Sequence, residues 1–166
     1  RLFEQPEYAL MVRAVDLQAN DFKDNVRYVS KSAYEFLKKT KVIGGEIIID
    51  KIGNAGEVFL MPNLGVPVTL GMNLFMLRLK DEHNPVYTYL FLTSKYGRSL
   101  ISQRIIGTVP TSIDKESIRG ILIPRPSKEV IKQVNFIIKD HLQALNNSVI
   151  FYSQAEELLL KELKLW

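Results

Sequence analysis

The chain has 166 residues, of which 46% are hydrophobic and 24% are charged, and its formal net charge is +4. This balance fits a folded domain with an appendage and excludes a disordered chain. Having no cysteine, the chain has no disulfides, thiolate catalysis or cysteine zinc sites. No apolar run reaches the roughly 18 residues of a transmembrane helix. Because no signal peptide is visible, a cytoplasmic protein without a membrane partner is expected.

The first 40 residues predict strands and a short helix. Residues 8–17 are rich in apolar side chains and predict a strand or a pair of strands. Polar residues 20–25 follow as a turn, and residues 26–29 predict another strand. Ser30 is a suitable N-cap for a helix that is expected to run to about Lys39.

The clearest local signal is a predicted β-hairpin. Residues 47–49 are three isoleucines, and a short β-branched apolar run is typical of a buried strand. Residues 53–56 (Gly-Asn-Ala-Gly) form a tight connection, and residues 57–61 return as the second strand. Residues 66–69 and 73–79 are expected to form two more strands.

The next segment predicts two helical pieces. Asn84 followed by Pro85 is a favourable helix start, because asparagine caps the helix and proline suits its first turn. This helix is expected to reach about Lys95, where Gly97 interrupts it. Residues 98–105 predict a second piece.

The segment up to residue 126 completes the predicted N-terminal domain. Residues 107–111 are expected to be an irregular loop, and residues 117–123 predict a last strand that two prolines close. The predicted fold class is therefore α+β, with a mixed domain of strands and short helices over residues 1–126. A long coiled-coil helix over residues 127–166 is expected to follow it.

The predicted C-terminal helix has the hydrophobic pattern of a coiled coil. Apolar residues recur at alternating steps of three and four over about five heptads, and Asn135 and Glu156 occupy the skipped core positions. Such a helix spans roughly 55–60 Å. It is too long to bury its line of apolar residues, the seam, on the N-terminal domain, so we expect a partner helix. A helix folded back on that domain is the alternative. The seam residues are Ile131, Ile138, Leu142, Leu145, Val149, Tyr152, Leu159 and Leu163.

All of the excess positive charge lies in residues 1–126. From residue 127 onward five lysines balance five acidic residues, so the excess of four belongs to the N-terminal domain. The segment from His83 to Arg125 contains six lysines and arginines but only two acidic residues. A cationic patch of this kind favours a polyanionic partner, although a solvated basic surface has the same composition.

No pattern in the sequence indicates an active site, a cofactor or a metal. The two histidines, His83 and His141, have no neighbour at metal-ligand spacing. Residues 84–87 (Asn-Pro-Val-Tyr) resemble the Asn-Pro-Pro-Tyr loop of amino-methyltransferases, but a helix start explains them equally well. The GxxG pattern of residues 53–56 is flanked by predicted strands, whereas the GxxG loop of KH domains joins helices.

Several segments, taken in order, resemble the target-recognition domain of type I restriction–modification specificity subunits. Residues 41–56 (KVIGGEIIIDKIGNAG) are similar to the family's G-D-I-L stretch with its G-x-x-G end, with Glu46 where the family usually has aspartate. Residues 87–101 (YTYLFLTSKYGRSLI) resemble its Y-L-x-Y-x-L-x-S helix. Residues 107–113 and 118–126 (IRGILIPRP) resemble the loop and the I-P-x-P segment that precede its spacer helix. After the prolines, Val130 stands where the family often has glutamine.

The resemblance implies a DNA reader that catalyses no reaction. Members of this family hold two recognition domains apart on an antiparallel pair of helices, and each domain reads half of a split target in double-stranded DNA. Separate methyltransferase (modification) and restriction subunits methylate and cleave the DNA, in defence against foreign DNA. One domain with one helix is half of this plan, so the chain is expected to be a fragment or to form a homodimer through its helix.

The expected DNA contacts are lysines and arginines on phosphates and a few loop side chains on bases. The predicted DNA-binding residues are Arg13, Lys51, Asn54, Lys95, Arg98, Arg104 and Thr111. Two alternatives stay open: a recognition domain fused to a methyltransferase or nuclease in one chain, and a coiled-coil interaction module without a DNA role.

Overall fold

The structure is a computed structural model that describes residues 2–80 and 83–163. In the last helix it describes all side chains except those of Lys139, His141, Leu142, Gln143, Leu145, Asn146, Val149, Ile150 and Ser153. Contacts divide the chain into a head, Arg1–Pro124, and a second unit, Arg125–Trp166. No helix within the described ranges combines the length and the apolar character needed to cross a bilayer.

The described elements mix strands and helices, as the α+β fold class predicts. The strands are β1 (Ala9–Val12), β2 (Arg27–Val29), β3 (Lys41–Val42), β4 (Ile47–Asp50), β5 (Ile52–Gly53), β6 (Val58–Leu60), β7 (Val68–Leu70), β8 (Leu74–Leu77) and β9 (Thr111–Ser112). The helices are α1 (Ala14–Ala19), α2 (Lys31–Phe36), α3 (Pro85–Thr93), α4 (Lys95–Ser102), α5 (Lys115–Arg119) and α6 (Lys128–Glu162). A single 3-10 turn, Lys38–Thr40, follows α2.

The strands of the head form three small sheets. The first has the order β2-β1-β7-β3, in which β1 runs parallel to β7 while the other two pairs are antiparallel. The second has the order β6-β4-β8 and is antiparallel throughout. In the third, β5 pairs with β9 as a two-stranded antiparallel ribbon.

The head has two hydrophobic cores, and β4 contributes to both. Ile48 packs in the first core with residues of the first sheet such as Val12 and Leu70. Ile47 and Ile49 pack in the second core. Successive side chains of a strand point to opposite faces, so a strand that is apolar at every position is buried on both sides. The second core otherwise consists of Ala55, Leu92, Ile101, Ile113, Ile118 and Ile121.

Several predicted elements are confirmed. The predicted hairpin is the β4–β6 pair, in which Ile48 lies opposite Phe59. Ser30 and Asn84 both act as N-caps: the side chain of Ser30 accepts a hydrogen bond from the backbone N–H of Ala33, and that of Asn84 from Tyr87. The methyltransferase-like residues 84–87 are therefore a helix start.

The strand predicted over residues 8–17 is only half correct. Its second half is helix α1, which begins after Arg13. The carboxylate of Asp16 accepts a hydrogen bond from the backbone N–H of Arg13 at 2.8 Å, which satisfies a donor that the helix itself leaves unpaired. This local cap outweighs the strand propensity of Val15.

The strand predicted over residues 117–123 is wrong, because residues 115–119 form helix α5. Asp114 is its N-cap, and its carboxylate accepts a hydrogen bond from the backbone N–H of Ser117 at 2.8 Å. Part of the loop predicted over residues 107–111 is instead paired, since Thr111 belongs to β9. The break between the two predicted helical pieces falls at Ser94, and Gly97 lies inside α4.

Gly97 permits the close approach of α3 and α4, so Gly97→Ala is expected to lower the free energy of unfolding by about 1–3 kcal/mol. A Cβ at this position would lie 2.1 Å from the carbonyl oxygen of Phe91 and 2.7 Å from the Cα of Leu92. Urea denaturation followed by circular dichroism measures the change.

Gly120→Ala is the matched control. There a Cβ would meet carbonyl oxygens only at 3.5 and 3.6 Å, which is ordinary contact. Its free energy of unfolding is expected to stay within about 0.5 kcal/mol of the wild type. Equal losses in the two variants would contradict a specific contact at Gly97.

Candidate nucleic-acid interface

Three of the predicted DNA-binding residues lie together on the β5–β9 ribbon. Gly53 pairs with Thr111, whose hydroxyl donates a hydrogen bond to the carbonyl oxygen of Gly53 at 2.6 Å. The backbone N–H of Ile113 donates to the carbonyl oxygen of Lys51 at 3.0 Å. Lys51 and Asn54 precede and follow β5, so the ribbon joins both to Thr111, although Thr111 is 57 residues beyond Asn54 in the chain.

The turn after β5 exposes Asn54 and is itself fixed by backbone hydrogen bonds. The N–H of Gly56 donates to the carbonyl oxygen of Asp50 at 2.8 Å, and that of Glu57 donates to Asn54 at 3.1 Å. Gly53 and Gly56 have φ angles of 100° and 85°, which residues with a Cβ rarely adopt. The backbone that carries Asn54 is thus held in an ordered turn, and its side chain is exposed.

Helix α4 packs directly against this turn. A Cβ at Gly56 would lie 2.3 Å from Cγ2 of Ile101, so only glycine allows the contact. Lys95 and Arg98 are exposed on α4, and residues three apart share a helix face. The structure therefore places two exposed cations on the helix that adjoins the turn bearing Asn54.

The other two predicted arginines are engaged in the fold. The guanidinium of Arg13 donates hydrogen bonds to both carboxylate oxygens of the buried Asp16, at 2.6 and 3.0 Å, and to the carbonyl oxygen of Asn25. Arg104 lies beyond the end of α4 and donates to the carbonyl oxygens of Leu100 and Gly120, at 2.7 and 3.5 Å. Both side chains tie elements of the head together, which the sequence did not indicate.

A further cation near the ribbon was not selected from the sequence. The ammonium nitrogen of Lys115 lies 5.7 Å from the centroid of the Phe75 ring, and that of Lys51 lies 5.8 Å from the same centroid. Both distances are in the range of a cation–π interaction. Lys115 stands among the basic residues counted between His83 and Arg125, but no local pattern shows that it approaches β8.

In the second unit, Ser127 caps α6, and its side chain accepts a hydrogen bond from the N–H of Val130. Of the predicted seam, Ile131 and Ile138 are half-buried, and Tyr152, Leu159 and Leu163 are exposed. The side chains of Leu142, Leu145 and Val149 lie outside the described residues, as does that of His141.

A second apolar stripe adjoins the seam on α6. It was not predicted from the sequence, because each of its residues directly precedes a seam residue and lies outside the series at steps of three and four. Its members lie at multiples of seven residues and are 41–66% exposed, and they are Val130, Ile137, Phe151 and Leu158. The apolar face of α6 is therefore wider than a two-helix seam requires.

The carboxyl group of Asp50 lies at the base of the Asn54 turn and is buried. Burial raises the pKa of Asp50, and the nearby charge of Glu57 raises it further, while hydrogen bonds from the backbone of Ile52 and Lys51 oppose the change. The turn therefore contains a carboxyl group that holds its proton to a higher pH than an exposed aspartate. Among the described residues, no three histidine or carboxylate side chains are grouped so as to hold a metal ion.

Comparisons with known proteins agree with the resemblance in the sequence. The family model "Type I restriction modification DNA specificity domain" matches residues 3–152. A crystal structure of a type I restriction-modification system S subunit from M. genitalium is similar to the chain, with a TM-score of 0.51 and 22% identity. At this identity the likeness shows a shared fold. The match covers 66% of this chain and 30% of that subunit. No curated protein matches the chain.

Because the pKa of Asp50 is raised in the fold, Asp50→Asn is expected to change how stability depends on pH. The folded chain binds this proton more tightly than the unfolded chain, whose aspartates titrate near 3.9. The contribution of Asp50 to stability is therefore present at low pH and decreases as pH rises through the raised pKa. Urea denaturation between about pH 4 and 8 should show this decrease in the wild type relative to the variant.

Asp114→Asn is the control of opposite sign. Hydrogen bonds from the backbone and side chain of Ser117 lower the pKa of Asp114. Its contribution is therefore complete above the unfolded value and lost as pH falls through the lowered pKa. A parallel pH profile for wild type and Asp50→Asn would contradict the assignment of a raised pKa to Asp50.

Proposed function

The chain belongs to the family of type I restriction modification DNA specificity domains, and from this membership we propose that it recognises DNA by sequence and reads one half of a bipartite target. The family match carries the proposal, since it spans residues 3–152 and so includes every predicted contact residue. Methylation and cleavage of the DNA belong to partner subunits, and the chain itself contributes recognition without catalysis.

The arrangement of the ribbon and α4 supports a division between base and phosphate contacts. Asn54 presents a short polar side chain on an ordered turn, where hydrogen bonds to base edges are feasible. The hydroxyl of Thr111 already donates to the carbonyl oxygen of Gly53, so it is left to accept a hydrogen bond from a base. Lys51, Lys95 and Arg98 supply positive charge around them, which suits phosphate contacts that position the protein without reading sequence. Arg13 and Arg104 are engaged within the head, so we assign them a supporting role in this interface.

The long helix supports the second half of the proposal. Helix α6 has 35 residues, which corresponds to about 52 Å at 1.5 Å per residue. We infer that it forms a coiled coil with the helix of a second recognition unit, and that the helix length sets the spacing of the two half-sites. The adjoining stripe, which includes Ile137 and Phe151, supports the docking of methyltransferase subunits on the same helix.

DNA binding is tested by selecting duplexes from a random pool with the purified chain and measuring affinity over a range of salt concentrations. A reader is expected to enrich a motif of a few base pairs, with affinity that falls steeply as salt rises. Asn54→Ala is expected to reduce the binding free energy by about 1–3 kcal/mol and to relax the preference at one base position of the motif. Arg98→Ala is expected to weaken binding to all sequences alike.

Lys23→Ala is the matched control, because it removes an exposed lysine from the turn between α1 and β2, which is not among the proposed contacts. Its affinity should equal that of the wild type. Wild-type chain that fails to bind at low salt would overturn the DNA proposal and favour a coiled-coil interaction module. Enrichment of a motif that is unaffected by all contact variants would show that the interface lies elsewhere on the head.

Pairing through α6 is tested by analytical ultracentrifugation. The wild type is expected to sediment as a dimer, and Ile138→Lys to sediment as a monomer, because a lysine in the apolar seam loses burial and brings two like charges together. Gln133→Lys adds the same charge at an exposed position off the seam and should leave the dimer intact. A monomeric wild type would contradict self-pairing and favour a second recognition domain in the same polypeptide.

A further inference from the structure

A cleft of about 230 Å³ lies in the head between β8, helix α5 and the 3-10 turn Lys38–Thr40. It brings together segments that are far apart in sequence, since α5 is about 75 residues beyond the turn. At roughly 30 Å³ per water molecule, the cleft has room for a group several times larger than water. Its lining residues are Lys39, Thr40, Leu70, Leu74, Phe75, Met76, Leu77, Lys115, Ile118 and Arg119.

The lining combines an apolar floor with cations. Seven of the ten lining residues are neutral, six of these apolar, whereas Lys39, Lys115 and Arg119 are basic and exposed. The hydroxyl group of Thr40 is already engaged, at 2.8 Å from that of Thr69 and 3.2 Å from the carbonyl oxygen of Leu37. The remaining polar side chains of the lining are therefore positively charged donors, which favour a negatively charged ligand.

Phe75 connects this cleft with the ribbon. Its ring lines the cleft, and the ammonium nitrogens of Lys115 and Lys51 both lie within 6 Å of its centroid. Lys51 directly precedes β5, which carries the chain into the Asn54 turn. The positive charge at the cleft is thus continuous with the positive charge at the proposed reading surface.

We propose that this cleft binds the sugar–phosphate backbone of the DNA beside the base-reading turn, with Lys39 and Lys115 each contacting a separate phosphate and the apolar floor packing against deoxyribose. The inference rests on the proposed function, since it extends the surface that carries Lys51 and Asn54. A sugar–phosphate unit combines an anion with apolar C–H groups, which complements the cations and the apolar floor of the lining. Cations that select only for charge suit the backbone, which carries no sequence information.

Arg119 is partly neutralised in the free protein. Its Nη1 lies 2.5 Å from Oε1 of Glu116, and both side chains are exposed. Exposed ion pairs of this kind contribute little to stability, so the pair can be removed at small cost to the fold. Glu116→Gln would leave the Arg119 guanidinium free to interact with phosphate.

The test measures the affinity of the 166-residue chain for a duplex selected from the random pool, over a range of salt concentrations. Lys39→Ala and Lys115→Ala are each expected to make the negative slope of log affinity against log salt shallower by about 0.9, the value for one lost phosphate contact. The double variant should lose about twice as much, and the selected motif should stay the same. Lys23→Ala is the control and should keep the wild-type slope.

A gain of binding provides a result that misfolding cannot produce. Glu116→Gln is expected to increase affinity at low salt and to steepen the salt dependence, whereas Glu7→Gln removes an exposed charge elsewhere and should increase affinity less. Thermal melting checks that all variants are folded. The wild type could bind DNA while Lys39→Ala and Lys115→Ala keep the wild-type salt slope. That result would overturn this inference and leave the proposed function standing. Wild-type chain that does not bind DNA would overturn both.

Discussion

Burial of strand β4 on both of its faces is the constraint on which the rest of the head depends. Ile48 packs in one core, while Ile47 and Ile49 pack in the other, and all three are fully buried. Each buried isoleucine contributes about 1.5–3 kcal/mol of hydrophobic stabilisation. Successive side chains of a strand point to opposite faces. One face of β4 therefore packs with the first sheet and the other with the helices α3, α4 and α5, so the same strand joins the two cores.

The proposed reading surface is a direct continuation of this strand. Asp50 ends β4, Lys51 follows it, and the chain then enters β5 and the Asn54 turn. The turn is fixed from two further directions, by the pairing of Gly53 with Thr111 and by the contact of Gly56 with Ile101. Side chains that must meet a rigid partner such as DNA are best placed on loops that a rigid scaffold holds. Here a strand that cannot shift without opening two cores serves as that scaffold.

The sequence predicted features that depend on neighbouring residues and missed those that depend on distant ones. The β4–β6 hairpin and the caps at Ser30 and Asn84 follow from local patterns, and all are present. The helices α1 and α5 were predicted as strands because apolar content outweighed the carboxylates that cap them. The β5–β9 ribbon, the hydrogen bond from Arg13 to the carbonyl oxygen of Asn25 and the approach of Lys115 to Phe75 join segments whose proximity only the folded chain determines. Of the seven predicted contact residues, the structure groups Lys51, Asn54 and Thr111, with Lys95 and Arg98 on the adjoining helix.

The distribution of charge separates two tasks along the chain. Helix α6 begins where the excess of positive charge ends, since lysines and acidic residues balance from residue 127 onward. A neutral helix with an apolar stripe is not drawn to phosphates by long-range attraction, so a DNA duplex would be attracted to the head and not along the helix. The helix is then free to use its wide apolar face for protein partners, where burial and not charge provides the affinity. If, as proposed, the Asn54 turn reads DNA and the seam at Ile138 pairs with a partner helix, the two tasks use different residues, so a substitution for one need not change the other.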